Sequence, residues 1–442
     1  MRSRSRWRLL LNKELHELTA SRSYWLLLLA TAALVGHAFN NSVALYAEAS
    51  GAGGGSAALA QGLHPLDGFV VPMFGAYDLV ATLLFPFVVI RLFSADRVSG
   101  AHTLILQLPV SVAESVAAKT VALLLAWFAA GVAGAIALAV WSGIGGHLYA
   151  PEVLTVVAGH FLRGALTIAL GAVAAAFATS AASASIVVLA VTIGTWAIDY
   201  VAAARGGDAA AIAKFTPAAA LRVFERGELR GDTILVLLIL TVAGLTICTV
   251  WLHDGRVLSR RVRDAAAVAL LAALATVGAA KWRASADMSE DRRNSFAAPD
   301  EAAIRSLGAP LRITVNLAAE DPRLTDFERG VLGKLRRIAQ VDVVYAARGR
   351  TGLFGESREH YGEIWYEMNG NRAMSRSVSE PIVLETIYAV AGRPPPPPDT
   401  AAVDPGHPLA VETSLGTILL FMVWPAIVTA MWWSARKPRD VA

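Results

Sequence analysis

The feature that most constrains the fold of this chain is a series of long apolar stretches. A helix that crosses a lipid bilayer requires about 20 predominantly apolar residues. Eight stretches of this kind occur, at residues 24–46, 69–92, 117–141, 154–179, 183–204, 232–252, 265–282 and 414–434. Since 55% of the 442 residues are hydrophobic and only 17% are charged, the sequence predicts an α-helical polytopic membrane protein with about eight transmembrane helices.

The segment 1–23 precedes the first apolar stretch and carries several arginines. Trp7, Leu11, Leu15 and Leu18 recur on one helical face, a pattern typical of an amphipathic helix at the membrane interface. A cleaved signal peptide is the alternative interpretation, because a basic region is followed by an apolar run. We favour an uncleaved first span, because a clean cleavage site is lacking and further spans follow.

The distribution of Lys and Arg predicts the orientation of the spans. With both termini in the cytoplasm, the outer loops 47–68 and 142–153 contain neither Lys nor Arg, and 435–442 forms a cytoplasmic tail. One outer loop, 205–231, departs from this rule, because it holds five basic residues. The architecture and the Ala- and Arg-rich composition indicate the cytoplasmic (inner) membrane of a bacterium.

Residues 284–413 are hydrophilic and predict a small α/β domain on the outer side of the membrane. Asn369-Gly370-Asn371 is a strong hairpin-turn signal, and five consecutive prolines lie in a stiff linker at 393–408. The predicted strands are Leu311–Leu317, Val341–Tyr345, Glu363–Met368 and Ala373–Val378, and the predicted helices are Thr325–Ala339 and Glu380–Val390.

Motifs for catalysis, metal binding or cofactor binding are lacking in the sequence. Cys248 is the single cysteine, which excludes a disulfide framework and a Cys-based zinc site. The run Gly330–Lys334 is too short for a phosphate-binding loop and is followed by Leu335 instead of Ser or Thr. The nine histidines lack ligand spacing on a helix. We therefore expect neither an enzyme nor a bound cofactor or metal in this chain, and no nucleic-acid partner.

Several ionisable residues lie inside predicted spans, where charge is costly. Asp78, His160, Arg163 and Asp199 all fall in the outer half of the membrane in the predicted orientation, where they can meet as one ionic cluster. Two interpretations stay open for this cluster. It is either a salt bridge that joins helices or the lining of an outward vestibule that handles a polar substrate or headgroup.

The polar connection between the second and third stretches, Ser94–Thr120, is predicted to lie at the cytoplasmic surface and to contact a partner there. It begins with the charged pair Asp96 and Arg97, continues through an amphipathic segment and ends in a helix that leads to Lys119. The residues singled out in it are Asp96, Arg97, Gly100, Thr103, Leu104, Leu108 and Pro109.

Over about residues 1–260, the order of these features resembles the ABC-2 class of ABC transporter permeases. The similarity rests on the interfacial helix, a six-span domain at 24–260 and the acidic-Arg-x-x-Gly loop that ends in Pro-x-Ser. Ala101, His102 and Thr103 depart from the Thr, Leu and Glu usual in the family. Phe215-Thr216-Pro217 is similar to the family's outer loop, which is expected to dip into the membrane and would explain the basic residues there.

This resemblance implies a transport subunit. It implies that the loop at 94–119 docks on a separately encoded ATPase, which binds ATP and Mg²⁺, and that two permeases, identical or different, form a dimer. The direction implied is export.

Residues 265–434 resemble a shortened relative of the gliding-motility auxiliary protein, in which two spans flank an extracytoplasmic α/β domain. Ile313–Leu317 and Glu380–Ala391 carry this similarity. It implies a domain that receives or hands on a substrate, or that binds a periplasmic or envelope partner.

Two alternatives to transport remain at this stage. The chain can be the membrane subunit of a complex that uses ATP hydrolysis for mechanical work on an envelope assembly. It can also be a membrane-tethered binding protein without an ATPase.

Overall fold

The computed structural model describes residues 3–52, 63–98, 100, 110–205, 212–213, 215–253, 255–282, 284–318, 321–346, 360–397, 406–409, 411 and 414–436. The helices are, in chain order, α1 (Ser3–Ala20), α2 (Arg22–Ala47), α3 (Val71–Val98), α4 (Val112–Gly143), α5 (Ala150–Phe177), α6 (Ala181–Arg205), α7 (Pro217–Glu225), α8 (Gly231–Trp251), α9 (Leu258–Ala279), α10 (Ala298–Arg305), α11 (Pro322–Phe327), α12 (Gly333–Ile338), α13 (Glu380–Ala391), α14 (Ser414–Ile418) and α15 (Trp424–Arg436). Short π-helical segments occur at Glu48–Ala52, Leu66–Val70, Glu328–Leu332 and Leu419–Val423. The strands are β1 (Glu228–Arg230), β2 (Ser285–Asp287), β3 (Leu311–Val315), β4 (Val341–Tyr345), β5 (Ile364–Met368) and β6 (Asn371–Ser375).

The chain divides into two compact units. The first unit comprises Met1–Gly194, Gly231–Ala284 and Pro405–Ala442, and the second unit comprises Thr195–Arg230 and Ser285–Asp404. The eighth apolar stretch therefore belongs to the same unit as the first four.

Among the described residues, eight helices are long and apolar enough to cross a membrane, judged by length and composition. They are Arg22–Gly51, Leu66–Asp96, Val112–Gly143, Ala150–Phe177, Ala181–Ala202, Gly231–Trp251, Leu258–Ala279 and Ser414–Arg436. Each predicted stretch corresponds to one of them, which confirms a mostly helical chain with eight candidate spans and a small sheet region. The seventh helix begins at Leu258, before residue 265, because Arg260, Arg261 and Arg263 continue the helix beyond its apolar part.

The core of the first unit is built from α2, α3, α4 and α5, whose buried faces share one apolar cluster. Aromatic rings fill its widest part. Phe69 stacks on Trp141 with 4.2 Å between ring centroids, and Phe39 and Tyr46 meet this pair edge-on. Trp141 and Phe69 are fully buried, so the end of α4 is fixed against the start of the second apolar helix.

The C-terminal helix packs on α2 through two glycines. A side chain at Gly416 would lie 2.1 Å from the ring of Phe39, and one at Gly36 would lie 3.0 Å from the ring of Phe421. A side chain at Gly416 would therefore displace the Phe39 ring, and one at Gly36 would require a small shift of Phe421. The segment before this helix is also bound to the first unit, because the Tyr46 hydroxyl donates to the carbonyl of His407 at 2.7 Å.

The second unit contains a four-stranded sheet in the order β4-β3-β5-β6. Strands β3 and β4 are parallel, and α11 and α12 lie between them in the chain, whereas β5 is antiparallel to β3 and β6. On β3 and β5, alternate residues are buried, as expected for a sheet with one face covered. Phe327, Leu335 and Ile387 from the helices complete this core.

Sequence patterns located the elements of this sheet, and several of their ends differ. Asn369 and Gly370 have φ angles of 51° and 83°, so these two residues form the turn and Asn371 already pairs with Met368. The predicted third strand at 363–368 and fourth strand at 373–378 become 364–368 and 371–375. The helix predicted at Thr325–Ala339 begins earlier, at Pro322, because the Asp321 side chain accepts a hydrogen bond from Arg323 N and caps the helix.

A second, two-stranded sheet pairs β1 with β2 and was not predicted. Asp287 fixes the chain that follows it, because its carboxylate accepts hydrogen bonds from backbone or side-chain groups of Ser289, Asn294 and Ser295. Burial alone would raise the pKa of Asp287, but these hydrogen bonds outweigh it and hold the pKa below its usual value of 3.8.

Asp287→Asn is expected to destabilise the second unit at pH 7 by about 1–3 kcal/mol, since buried donors lose their acceptor. A carboxyl with a lowered native pKa stabilises the fold above its unfolded-state pKa, and this contribution is lost as the pH falls through the native value. The difference between wild type and variant should therefore shrink below about pH 4. Thermal unfolding at pH 7 and pH 3 measures both effects. The exposed Asp342→Asn serves as the control and should show neither.

Candidate functional site

A buried network of charges joins three helices at one end of the first unit. Glu14 of α1, Asp96 near the end of α3 and Lys119 of α4 are 0%, 4% and 4% exposed. The Lys119 ammonium lies 2.7 Å from Glu14 Oε2 and 2.7 Å from Asp96 Oδ2. Its third hydrogen bond goes to the carbonyl of Leu92 at 3.1 Å. Since an ammonium has three donors, Lys119 is fully satisfied inside the protein.

Lys13 extends this network to its less buried side. Its ammonium lies 2.5 Å from Asp96 Oδ1, 3.1 Å from Glu14 Oε1 and 3.1 Å from Glu17 Oε1. Burial alone would lower the pKa of Lys13, but the hydrogen bond to Asp96 and the attraction of Glu14 and Asp96 raise it above its usual value. Two ammonium groups are thus held among three carboxylates, and we call Lys13, Glu14, Glu17, Asp96 and Lys119 the charge network.

The charge network holds both ends of the predicted partner loop, because it joins Asp96 to Lys119, and a helix cap fixes the start of α4 between them. The Ser111 side chain accepts a hydrogen bond from Glu114 N, and the Glu114 carboxylate accepts one from Ser111 N, which is a complete capping box at the start of α4. Gly100 has a φ of 74°, a left-handed conformation that favours glycine. The end of α3 is therefore held by the charge network, and the start of α4 is held by its cap.

The predicted loop residues have different places in the structure. Asp96 is buried in the charge network, so it holds α1, α3 and α4 together; the expectation that its side chain faces a cytoplasmic partner does not fit this burial. Gly100 is exposed. Arg97 belongs to the last turn of α3. Outside the described residues lie Thr103, Leu104, Leu108 and Pro109.

A second polar cluster lies between two apolar helices, α3 and α5. Arg163 Nε is 2.9 Å from Asp78 Oδ1, and Arg163 Nη2 donates to Thr82 Oγ1 at 3.1 Å. The Thr82 hydroxyl in turn donates to Asp78 Oδ1 at 3.4 Å. An ion pair buried between apolar helices is costly without such hydrogen bonds, because the surroundings have a low dielectric constant.

His160 stands beside the ion pair in an aromatic environment. Its ring stacks on Phe74 with 5.2 Å between centroids and meets Tyr77 edge-on at 5.9 Å. His160 Nδ1 lies 3.9 Å from Asp78 Oδ1, which is longer than a hydrogen bond. Trp127 packs directly on Gly164, where a Cβ would lie 2.4 Å from its Nε1, so α4 closes against α5 next to Arg163. We call Asp78, Thr82, His160 and Arg163 the intramembrane cluster.

The fourth residue predicted for this cluster, Asp199, has its recorded partners in the second unit. Thr216 Oγ1 donates to Asp199 Oδ1 at 2.8 Å, and Arg222 Nη2 lies 3.6 Å from the same oxygen. Asp78, and not Asp199, is the carboxylate that pairs with Arg163. Thr216 also caps α7 through Ala219 N, so the segment that resembles the family's outer loop begins a short amphipathic helix.

Glu14 and Lys119 were not identified as site residues from the sequence. Glu14 lies three residues after Leu11 and four before Leu18, so it shares the face of α1 that was predicted to be apolar. A carboxylate on such a face indicates a buried cation, and this signal was available. The identity of the cation could not be predicted, because Lys119 lies 105 residues away in the chain.

Comparisons of the chain with protein-family models, with curated proteins and with solved structures found no match.

Proposed function

We propose that this chain is the membrane-spanning permease subunit of an ATP-driven ABC transporter, most simply an exporter in a bacterial inner membrane. In this proposal both termini are cytoplasmic, the second unit lies on the outer side, and a separate ATPase subunit binds ATP and Mg²⁺. The ATPase docks on the loop at 94–119, and two permease subunits form the working dimer.

The observation that carries this proposal is the charge network at the base of the loop. A subunit driven by an ATPase needs a rigid connection between its docking surface and its helices. Lys119 makes ion pairs to both Glu14 and Asp96, so α1, α3 and α4 are joined at the point from which the loop departs. Buried, fully hydrogen-bonded ion pairs resist separation far more than exposed ones. A displacement of the loop would therefore move three helices together.

The outcome expected for the loop is that Arg97→Glu combined with Leu108→Asp abolishes ATPase docking without loss of membrane insertion. A mild-detergent pull-down of the tagged chain, followed by mass spectrometry, measures this. The wild type should recover an ATP-binding-cassette protein, and the double variant should not.

The same two changes elsewhere provide a matched control. The control variant, Arg260→Glu with Leu258→Asp, introduces two carboxylates on an exposed basic segment at the start of α9. This control should keep the ATPase. Retention of the ATPase by the loop variant would refute the assignment of the loop as the docking element, and recovery of envelope proteins without an ATPase would refute the transporter.

A mechanical role on an envelope assembly is the second candidate function. It is favoured by the second unit, whose sheet and helices enclose a complete apolar core of their own and can thus form a binding module. Deletion of the gene separates the two functions, since a transporter alters the flux of a substrate and a mechanical complex alters assembly with normal flux.

A further inference from the structure

The intramembrane cluster contains two buried polar atoms that the described part of the chain leaves without a hydrogen-bond partner. They are Arg163 Nη1 and His160 Nε2. The side chains that carry them are 10% and 1% exposed. A buried donor on a guanidinium is rarely left unpaired, because it has lost its water and gained nothing in return. The two atoms therefore need a hydrogen-bond partner from outside the described residues.

We propose that Arg163 Nη1 and His160 Nε2 bind an uncharged hydroxyl group of an amphiphilic substrate whose head group is neutral and rich in hydroxyls. This inference rests on the proposed transport function and names the class of its substrate.

The charges of the cluster argue against an anionic ligand. The Asp78 carboxylate and the Arg163 guanidinium already form a pair at 2.9 Å, so together they carry no net charge. An anion that bound Arg163 Nη1 would remain close to the carboxylate in a medium of low dielectric constant, where repulsion between like charges is strong. A neutral group escapes this cost.

The hydrogen-bonding chemistry fits a hydroxyl. Arg163 Nη1 can only donate, and an imidazole nitrogen donates or accepts according to its tautomer. A hydroxyl has one donor and two acceptor sites, so it can satisfy both atoms at once in either tautomer. His160 and Arg163 are three residues apart on α5 and thus share one helix face.

The cluster also holds its two groups in fixed positions. The guanidinium is oriented by Asp78 and Thr82, which occupy Nε and Nη2 and leave Nη1. The imidazole is oriented by stacking on Phe74. Asp78 retains 19% exposure of its side chain, so the cluster reaches the surface of the described bundle on that side. Fixing these groups before a ligand arrives lowers the cost of binding it.

The test measures lipid retention by the full chain in phosphatidylcholine nanodiscs without any ATPase. Two short-chain probes are titrated and detected by native mass spectrometry, namely a dioctanoyl glycerolipid that carries one neutral hexose and dioctanoyl phosphatidic acid. His160→Phe keeps the ring volume and its stacking but removes the nitrogens. Arg163→Lys keeps a cation for Asp78 but removes Nη1. The exposed His37→Phe on α2 repeats the first substitution away from the cluster.

The wild type and His37→Phe are expected to retain the hexose lipid in preference to phosphatidic acid. Each cluster variant should weaken this retention about tenfold, the effect of one lost hydrogen bond. Equal retention by all four proteins, retention of neither probe or a preference for phosphatidic acid would overturn the proposal. Because the lipid measurement needs no ATPase, its result is independent of the pull-down. If the lipid measurement fails and the pull-down succeeds, the chain is a transporter of another substrate class. If the pull-down fails and the lipid measurement succeeds, the chain is a lipid-binding membrane protein.

Discussion

Lys119→Met is expected to destabilise the first unit by about 3–5 kcal/mol, because it leaves the carboxylates of Glu14 and Asp96 buried without their central cation. Methionine has a similar length and packs well in apolar surroundings, so the loss reports the charge and not a cavity. Thermal unfolding of the detergent-solubilised chain, together with the yield of folded protein in the membrane, measures this.

Two further variants test whether Lys119, and not Lys13, is the cation that stabilises the charge network most. Lys13→Met removes a cation whose side chain is 32% exposed, and water can screen the carboxylates near it. Its effect should stay below about 1 kcal/mol. Adding Glu14→Gln and Asp96→Asn to Lys119→Met should recover part of the lost stability, since no buried charge then lacks a partner. A triple variant no more stable than Lys119→Met would contradict this account.

Arg163→Met is expected to have an effect of similar size, about 3–5 kcal/mol, at the intramembrane cluster. It leaves the Asp78 carboxylate, in the first third of α3, without its guanidinium, in surroundings that disfavour an isolated charge. Unfolding in nanodiscs measures the loss.

The double variant Asp78→Leu with Arg163→Met distinguishes a structural ion pair from a ligand site. Replacement of both partners by apolar groups should restore most of the stability, since a buried pair contributes little compared with well-packed apolar residues. If the cluster binds substrate, the restored protein will still fail to transport. Full transport by the double variant would leave only the structural interpretation of the cluster.

The apolar helices were predictable because the bilayer sets their length, and apolar stretches of that length stand out in any sequence. The hairpin at Asn369-Gly370 was predictable for an equally local reason, since two residues with positive φ are needed and Asn-Gly supplies them. Features set by local chemistry thus followed from the sequence, with errors of a few residues at the ends of elements.

Features that depend on contacts between residues far apart in the chain could not be predicted from the sequence. Four ionisable residues within spans were recognised, but their pattern does not say which carboxylate meets Arg163, and the answer depends on how α3 packs on α5. Lys119 was recognised only as a residue at the end of the predicted loop, and nothing local in the sequence shows that it is the centre of a buried network. Strands β1 and β2 have three residues each, too few for a periodic signal, and they are 57 residues apart at the pair Leu229 and Ala286.

The packing of the eighth candidate span on α2, the first candidate span, has a consequence for biogenesis. Thr417 and Asn40, which are joined by a hydrogen bond, are separated by 377 residues, so α2 enters the membrane long before its partner exists. At about 5–20 residues per second, synthesis of that interval takes roughly 20 to 75 seconds. During this time the groove at Gly36 must face lipid or an insertase. Ribosomes stalled before residue 414 should therefore leave a first unit that insertion machinery still holds and proteases still cut.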